Sequence, residues 1–213
     1  MTNTGIEKPE SSVAQADHPN DGASTYERLL VEAASLFRKR GYERTSTREL
    51  ANSIGIQKAS LYHYMKSKEH LLFEMCMRGM ERMDSRIGSA IEGAEGPLDQ
   101  LGELIEHHVA TMLEQPNVYA ASLIELRSLT GEKSDLVLNR RRDYENLVRD
   151  IVTDAQASGS VRSDIDPKYL TLLLLGTMNW TLLWFQLDGD ISPAEMGRLV
   201  RTFLLGGLAT ATP

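Results

Sequence analysis

Residues 46–72 read STRELANSIGIQKASLYHYMKSKEHLL and contain the signals for two short helices and the start of a third. Ser46 followed three positions later by Glu49 is the pattern of a capping box, which opens a helix that ends near Gly55. A second short helix, at about residues 58–64, follows that glycine, and Ser67 caps the third. Two brief helices joined by a tight turn that contains glycine are typical of a helix-turn-helix.

The rest of the chain also has the periodicity of helices. Apolar residues at positions 29, 30, 33, 36 and 37 predict a helix ahead of the helix-turn-helix. Ser67 opens a long helix to about residue 91, and we expect further helices at about 97–114, 117–130, 134–157, 167–187 and 193–209, separated by Gly and Pro. No segment alternates with period two, so the sequence predicts an all-α fold of about nine helices.

Charge is distributed unevenly along the 213 residues, whose net charge is −7. Residues 25–70 contain nine Lys or Arg against five Asp or Glu, whereas the segments on either side are acidic. A small basic segment beside an acidic body indicates a nucleic-acid-binding module. We therefore divide the chain into a disordered polar arm (1–24), a helix-turn-helix DNA-binding domain (25–70) and a helical body (71–213).

The composition also argues against several classes of protein. Cys76 is the single cysteine, so no intramolecular disulfide can form and no metal site can use several thiolates. We find no secretory signal, and the longest apolar run, residues 169–175, is far too short to span a membrane. Neither a nucleophile motif nor a phosphate-binding loop is present. We expect a cytoplasmic protein that is not an enzyme and has no cofactor and no membrane contact.

The motifs resemble the TetR family of transcriptional regulators. The resemblance is carried by TRELA at 47–51, GI at 55–56, ASLYHYM at 59–65 and SKEHL at 67–71, and covers about residues 26–72. Met65 stands where the family usually has Phe, a change that affects packing more than DNA contact. The resemblance implies a three-helix headpiece, a C-terminal domain that binds a small molecule and forms a homodimer, and repression through a palindromic double-stranded operator.

The second helix of the helix-turn-helix presents donors that can reach base edges or phosphates in a major groove: Lys58, Ser60, Tyr62 and His63. Thr47, at the start of a capped helix, suits a phosphate. Lys68 lies in the first turn of the next helix, where the helix dipole disfavours a cation unless a phosphate is near. By resemblance, Tyr62, Tyr64 and Lys68 clamp the DNA backbone, while Lys58, Ala59 and His63 read bases. The alternative is that these are ordinary surface polar residues.

The two C-terminal helices predict a dimer. The helix at 167–187 is apolar almost all round and must be covered on more than one face. The last helix adds a second apolar surface, and the resemblance implies that both helices join their mates in a four-helix bundle. A helical interaction protein without DNA binding is the alternative from another class, but it would not need the basic segment.

The resemblance also implies a ligand pocket enclosed by helices five to seven. Candidate pocket residues combine apolar bulk with a few polar groups: His108, Met112, Tyr119, Leu123, Met178, Trp180 and Trp184. For each of them, ordinary core or interface packing is the alternative. His107 and His108 point about 100° apart on a helix, so they are poor co-ligands and we expect no metal site.

Three consecutive arginines, Arg140–Arg142, stand in an otherwise acidic region. They form either a solvated face paired with neighbouring carboxylates or an anion site, of which Arg141 and Arg142 are the candidate ligands. The C-terminal half resembles TetR-like regulators of fatty-acid and sterol catabolism, which sense acyl-CoA thioesters. This second resemblance implies an acyl-CoA effector, and a hydrophobic drug or another small molecule is the alternative.

Overall fold

The computed structural model describes the backbone of residues 19–208 and the side chains of residues 24–208. Within these residues it contains nine α-helices, one 3₁₀ turn (Leu126–Ser128) and no β-strand, which confirms the all-α prediction. The helices are α1 (Pro19–Arg40), α2 (Thr47–Ser53), α3 (Lys58–Leu61), α4 (Lys68–Glu92), α5 (Pro97–Glu114), α6 (Pro116–Ile124), α7 (Gly131–Ala157), α8 (Pro167–Trp184) and α9 (Pro193–Leu208).

Several element boundaries differ from those expected; α3 ends at Leu61 instead of about residue 64, and α7 begins at Gly131 instead of about residue 134. Helix α1 begins at Pro19, so residues 19–24, which were assigned to the arm, belong to its first turns; residues 1–18 lie outside the described part. The helix expected at 117–130 is broken at Glu125, because the buried carboxylate of this residue turns back to accept a hydrogen bond from the backbone N–H of Tyr42 at 3.1 Å. Helix α8 ends at Trp184, because Phe185 adopts an extended conformation.

The headpiece, α1 to α3 with the start of α4, is organised as the sequence signals indicate. The capping box is present: Glu49 N–H donates to Ser46 Oγ at 3.2 Å, and Ser46 N–H donates to the Glu49 carboxylate at 2.9 Å. Gly55 has a φ of +76°, which glycine adopts at little cost. Leu61 and Met65 are buried and fix α3 on its neighbours.

The core of the headpiece does not close at residue 70. It continues along α4 through Met75 and Cys76 and reaches Ala121 of α6 and Val137 of α7. Helix α4 therefore belongs to both parts of the chain, and a displacement of α4 acts on the headpiece directly.

The body is built around α5, which packs closely against α9. A Cβ on Gly197 would lie 2.4 Å from the carbonyl oxygen of Glu106, so only glycine permits this approach. Arg201 of α9 lies across α5 and pairs with Asp99 at 2.7 Å, Glu103 at 2.5 Å and Glu106 at 3.3 Å. These contacts fix α9 on the body and direct its other side outward.

Across residues 19–208, none of the helices combines the length and apolar character required to cross a membrane.

Candidate nucleic-acid interface and internal cavity

The outer side of α3 and the turn after it presents the residues predicted to contact DNA. Lys58, Ala59, Tyr62 and His63 are exposed, and Ser60 is half-buried. Tyr62 exposes 53% of its surface, whereas a tyrosine whose role is packing is usually more deeply buried. The α-helical part of α3 ends at Leu61. Residues 62–64 continue it with hydrogen bonds between residues three apart, such as the bond that Tyr64 N–H donates to the Leu61 carbonyl oxygen at 3.0 Å.

Sequence reasoning missed three cations on the headpiece. Arg44, Arg48 and Lys66 are exposed and, like Lys58, form no ion pair or side-chain hydrogen bond with any residue in 24–208. Arg40, in contrast, pairs with Glu49. The excess of positive charge in residues 25–70 was the signal that could have identified them.

Lys68 has internal partners. Its Nζ donates to the carbonyl oxygens of Tyr42 at 2.7 Å and Thr45 at 3.1 Å, and lies 4.1 Å from the centroid of the Tyr42 ring. These groups stabilise a cation at the start of α4 without a phosphate, which removes the objection raised from the helix dipole. Thr47 and Tyr64 are both half-buried, and Tyr64 packs on the headpiece core.

A cavity of about 670 Å³ lies between α4, α5, α6, α7 and α8. Six of the nine predicted ligand residues line it: His108, Met112, Tyr119, Leu123, Arg141 and Arg142. Its wall also contains residues that the sequence did not single out, among them Cys76, Met80, Met83, Asp84, Tyr144, Leu175, Asn179 and Leu182. This volume falls in the range of small-molecule sites, which are about 300–1,000 Å³.

Met178, Trp180 and Trp184 do not line the cavity. Met178 is buried in the core of the body, whereas Trp180 and Trp184 are 64% and 51% exposed. Since α8 is apolar on all sides, the sequence did not show which side faces inward. The structure shows that Leu175, Asn179 and Leu182, at spacings of four and three residues, are the side that faces the cavity.

The outer surface of α8 and α9 is an apolar stripe. Besides the two tryptophans it exposes Tyr169, Leu172, Leu173, Leu183, Leu187, Leu199 and Phe203, the last at 75%. An exposed stripe of this kind marks a protein–protein contact. It is the surface that the sequence assigned to the dimer.

The three consecutive arginines have different surroundings. Arg140 pairs with Asp84 at 2.5 Å, and Arg142 donates to the side-chain oxygen of Asn139 at 3.0 Å. The half-buried Arg141 has no hydrogen bond or ion pair with any residue in the described part of the chain. The other carboxylate of the cavity wall, Glu145, is paired with an arginine one turn later on α7. Arg141 is therefore the half-buried cavity cation that has no partner among these residues, and the exposed Arg142 is bonded only to a neutral amide.

Three polar side chains from three helices form a hydrogen-bonded group in the wall. His108 Nδ1 lies 2.7 Å from the Tyr144 hydroxyl, and His108 Nε2 lies 3.3 Å from Asn179 Oδ1. Burial lowers the pKa of His108 to about 4, opposed by its contact with Asn179, so the ring is neutral at physiological pH.

Hydrogen bonds also connect the cavity wall with the headpiece. Arg38 of α1 donates to the carbonyl oxygen of Leu182 at 3.0 Å and to the side-chain oxygen of Asn117 at 3.2 Å. The hydroxyl of Tyr119, on α6, donates to the carbonyl oxygen of Gly79, on α4, at 2.9 Å. A change in the cavity can thus reach α1 and α4 through single contacts.

In the described segment 24–208, no group of three or more His, Cys, Asp or Glu side chains could hold a metal ion.

Two family matches cover most of the chain. Residues 29–75 match the family of bacterial regulatory proteins, tetR family, and residues 94–208 match the tetracyclin repressor-like C-terminal domain. The chain belongs to the TetR family. As a TetR-family regulator it binds operator DNA as a homodimer and binds a small-molecule effector.

The similarity to individual relatives extends over nearly the whole length of both proteins. The HTH-type transcriptional repressor KstR2 of Mycolicibacterium smegmatis is 29% identical over 199 residues, which are 90% of this chain and 94% of that protein. The structure of the ketosteroid transcriptional regulator KstR2 of Mycobacterium tuberculosis has a TM-score of 0.82 at 20% identity, over 92% of this chain and 98% of the other, and shows the fold.

AibR in complex with isovaleryl coenzyme A and operator DNA is a third relative. Its structure has a TM-score of 0.72 at 27% identity and covers 87% of this chain and 98% of its own.

Proposed function

We propose that this TetR-family regulator represses from a palindromic operator and releases it when an acyl-CoA thioester, or a similarly amphipathic anion, enters the cavity. The observation that carries the proposal is the half-buried and unpaired Arg141 beside a mostly apolar cavity. A guanidinium in such a place favours a phosphate or carboxylate, which it can bind with two hydrogen bonds. The AibR complex with isovaleryl coenzyme A supports a thioester in this role.

We propose that the exposed side of α3 enters the major groove. In this proposal Lys58, Ala59 and His63 read base edges, with Ser60 beside them, and Tyr62 contacts the DNA backbone. The exposure of Lys58, Ala59, Tyr62 and His63 supports it. Two such helices in a homodimer match two half-sites about 34–36 Å apart, or a multiple of that spacing. The proposal locates the regulator in the cytoplasm, where the operator DNA of a bacterium lies, and it involves no catalytic step.

Release requires an effector that binds the DNA-incompetent state more tightly than the competent one. The usual coupling is about 1–3 kcal/mol, which corresponds to roughly 5- to 150-fold in operator affinity. The contacts of α6 with α1 and α4 offer a route, since α6 lines the cavity through Tyr119 and Leu123.

The test is a titration of the complex with labelled DNA from the promoter adjoining the gene. Acyl-CoAs, free fatty acids and neutral or cationic aromatic drugs are added, and release is followed by fluorescence polarisation. We expect thioesters to release the DNA. We expect Arg141→Ala to need at least about tenfold more thioester while its operator affinity stays unchanged, since a hydrogen-bonded charge contributes about 1.5–3 kcal/mol.

The matched control is Arg162→Ala, which removes an exposed arginine that pairs with Asp164 outside the cavity. It should respond to thioesters as the parent protein does. Release by a neutral or cationic drug, without a response to any thioester, would overturn the acyl-CoA proposal and leave the assignment to the family intact.

A further inference from the structure

His108, Tyr144 and Asn179 stand out because they are polar groups in an apolar part of the cavity wall. They come from α5, α7 and α8, and their neighbours in the wall include Met112, Leu175 and Leu182. Their mutual hydrogen bonds leave capacity unused. In the part of the chain that the structure describes, neither Tyr144 nor Asn179 has any other side-chain hydrogen bond.

The proton inventory of this group shows which atoms remain free. A neutral His108 has one N–H, so one ring nitrogen donates and the other accepts. If Nε2–H donates to Asn179 Oδ1, then Nδ1 accepts from the Tyr144 hydroxyl and both amide N–H groups of Asn179 are free. If the Asn179 amide is rotated so that its N–H faces the ring, Nε2 accepts from it and Nδ1–H donates to the Tyr144 oxygen. The O–H of Tyr144 and one amide N–H of Asn179 are then free. In both arrangements Asn179 keeps an unused donor at the cavity.

An unused donor at the cavity can bond to an acceptor on a ligand, and a ligand that displaces solvent without supplying an acceptor would leave the donor unpaired at a cost. Tyr144 lies three residues after Arg141 on α7, so the two side chains share one side of that helix, and both line the cavity. A single ligand can therefore contact the cation and the polar group at once.

We infer that His108, Tyr144 and Asn179 form an oxygen-recognition site, in which Asn179, positioned by His108, donates a hydrogen bond to an oxygen on the buried part of the effector. The inference rests on the proposed function and adds a determinant of specificity to it. The oxygen belongs either to the thioester carbonyl or to a hydroxyl or keto group on the acyl chain. In either case the group discriminates against ligands that cannot place an acceptor there.

Matched ligands and matched variants test this site. Binding of octanoyl-CoA and of its 3-hydroxy and 8-hydroxy derivatives is measured by calorimetry, without DNA, on the parent dimer, on Tyr144→Phe and on Asn179→Leu. Tyr26→Phe is the control, because it also removes a tyrosine hydroxyl but lies in the headpiece, half-buried and outside the cavity. Tyr144→Phe keeps the shape of the ring, so it remains informative if Asn179→Leu fails to fold.

Two results support the site and identify the source of the oxygen. If the oxygen is on the chain, one hydroxylated thioester binds the parent on the order of tenfold more tightly than octanoyl-CoA. The variants at 144 and 179 lose this preference, and Tyr26→Phe keeps it. If the oxygen is the thioester carbonyl, both variants bind all three thioesters on the order of tenfold more weakly, whereas Tyr26→Phe does not. Unchanged affinities in Tyr144→Phe and in folded Asn179→Leu would overturn the inference.

Failure of the thioester proposal gives a different result. The parent then binds none of the three thioesters, and 1-octanol and 2-octanone are titrated instead. If these bind and Asn179→Leu loses them, the oxygen site stands without the thioester. If the parent does not bind them either, both proposals fall.

Discussion

Tyr62 is the exposed aromatic side chain of the headpiece among residues 24–72, and it lies directly after α3. We expect Tyr62→Ala to weaken operator binding by about 1–3 kcal/mol if the side chain makes a strong contact with DNA. The measurement is an electrophoretic shift, with circular dichroism to show that the fold is intact. Val31→Ala, which truncates a similarly exposed side chain on α1, should bind as the parent does. Equal affinity of Tyr62→Ala and the parent would contradict the assignment of α3.

Lys68 and Arg48 differ in what surrounds their charges. Lys68 is bonded to two carbonyls of the headpiece, whereas Arg48 is exposed without a partner among the described residues. We expect Arg48→Ala to lower the slope of log affinity against log salt by about one and to leave the melting temperature unchanged. Lys68→Met should lower the stability by about 1–3 kcal/mol, because its loss leaves the carbonyls of Tyr42 and Thr45 without their donor.

Salt titrations of operator binding and thermal melts on both variants separate these roles. If Lys68→Met changes only the salt slope and melts at the same temperature as the parent, Lys68 acts as a phosphate contact and its internal hydrogen bonds contribute little to stability.

At the scale of elements, α8 and α9 expose an apolar stripe, which we expect a second copy to cover. We expect Trp184→Glu and Phe203→Glu to give monomers or aggregates with little operator affinity, because an unpaired carboxylate buried in an apolar interface is strongly destabilising. Leu136→Glu, on an exposed position of α7 outside the stripe, is the control and should remain dimeric. Sedimentation velocity decides the matter, and a parent protein that is monomeric at micromolar concentration would refute the assignment of this surface.

Helix α1 is connected to the cavity wall through Arg38. This side chain bonds to Leu182 of the wall and to Asn117 at the start of α6. We expect Arg38→Met to bind effector as the parent does but to show a smaller ratio between operator affinities without and with effector. Arg28→Met is the matched control, since Arg28 also lies on α1 but bonds to the Ile54 carbonyl within the headpiece. An unchanged ratio in Arg38→Met would show that coupling does not pass through this contact.

Local signals in the sequence predicted the helices well, because capping residues and glycines act within a few positions. The capping box at Ser46 and the Pro97 start of α5 are examples. The break at Glu125 could not be predicted, since its cause is a hydrogen bond to Tyr42, 83 positions earlier in the chain. Helix boundaries of this kind depend on tertiary contacts.

The candidate site could likewise be predicted only in part, because some of its residues are brought together by tertiary contacts. Residue type pointed to Tyr119 and Arg141, but an all-apolar α8 gave no direction, so Trp180 and Trp184 were assigned to the cavity and lie on the outer surface. Asn179 was the available signal: a lone amide within an apolar helix indicates the side that meets other polar groups. The partners of Lys68 come from residues more than 20 positions away and left no pattern in the sequence.

On the scale of the whole molecule, the buried His108 makes stability depend on pH. Its pKa of about 4 lies below the ordinary value of 6.5, so the unfolded chain takes up a proton at this histidine before the folded protein does. Stability from this group is therefore complete above about pH 6.5, falls as the pH decreases, and levels off below about pH 4. Glu69 acts in a lower window: hydrogen bonds from Lys133 and Thr130 lower its pKa from 4.5 to about 2.

The interval between pH 6.5 and 5 thus isolates His108 from the paired carboxylate. We expect the free energy of unfolding to fall there by about 1.6 kcal/mol per subunit, and about twice that for the dimer, since the slope approaches about 1.4 kcal/mol per pH unit as the unfolded histidine becomes protonated. Urea unfolding of the dimer at a fixed protein concentration measures it, because dimer stability depends on concentration. His108→Gln should flatten the dependence, while His107→Gln, a half-exposed neighbour beside Glu103, should keep it. Equal slopes for His108→Gln and the parent would mean that the folded protein accommodates a charged His108, and the neutral ring on which the oxygen site depends would then be lost.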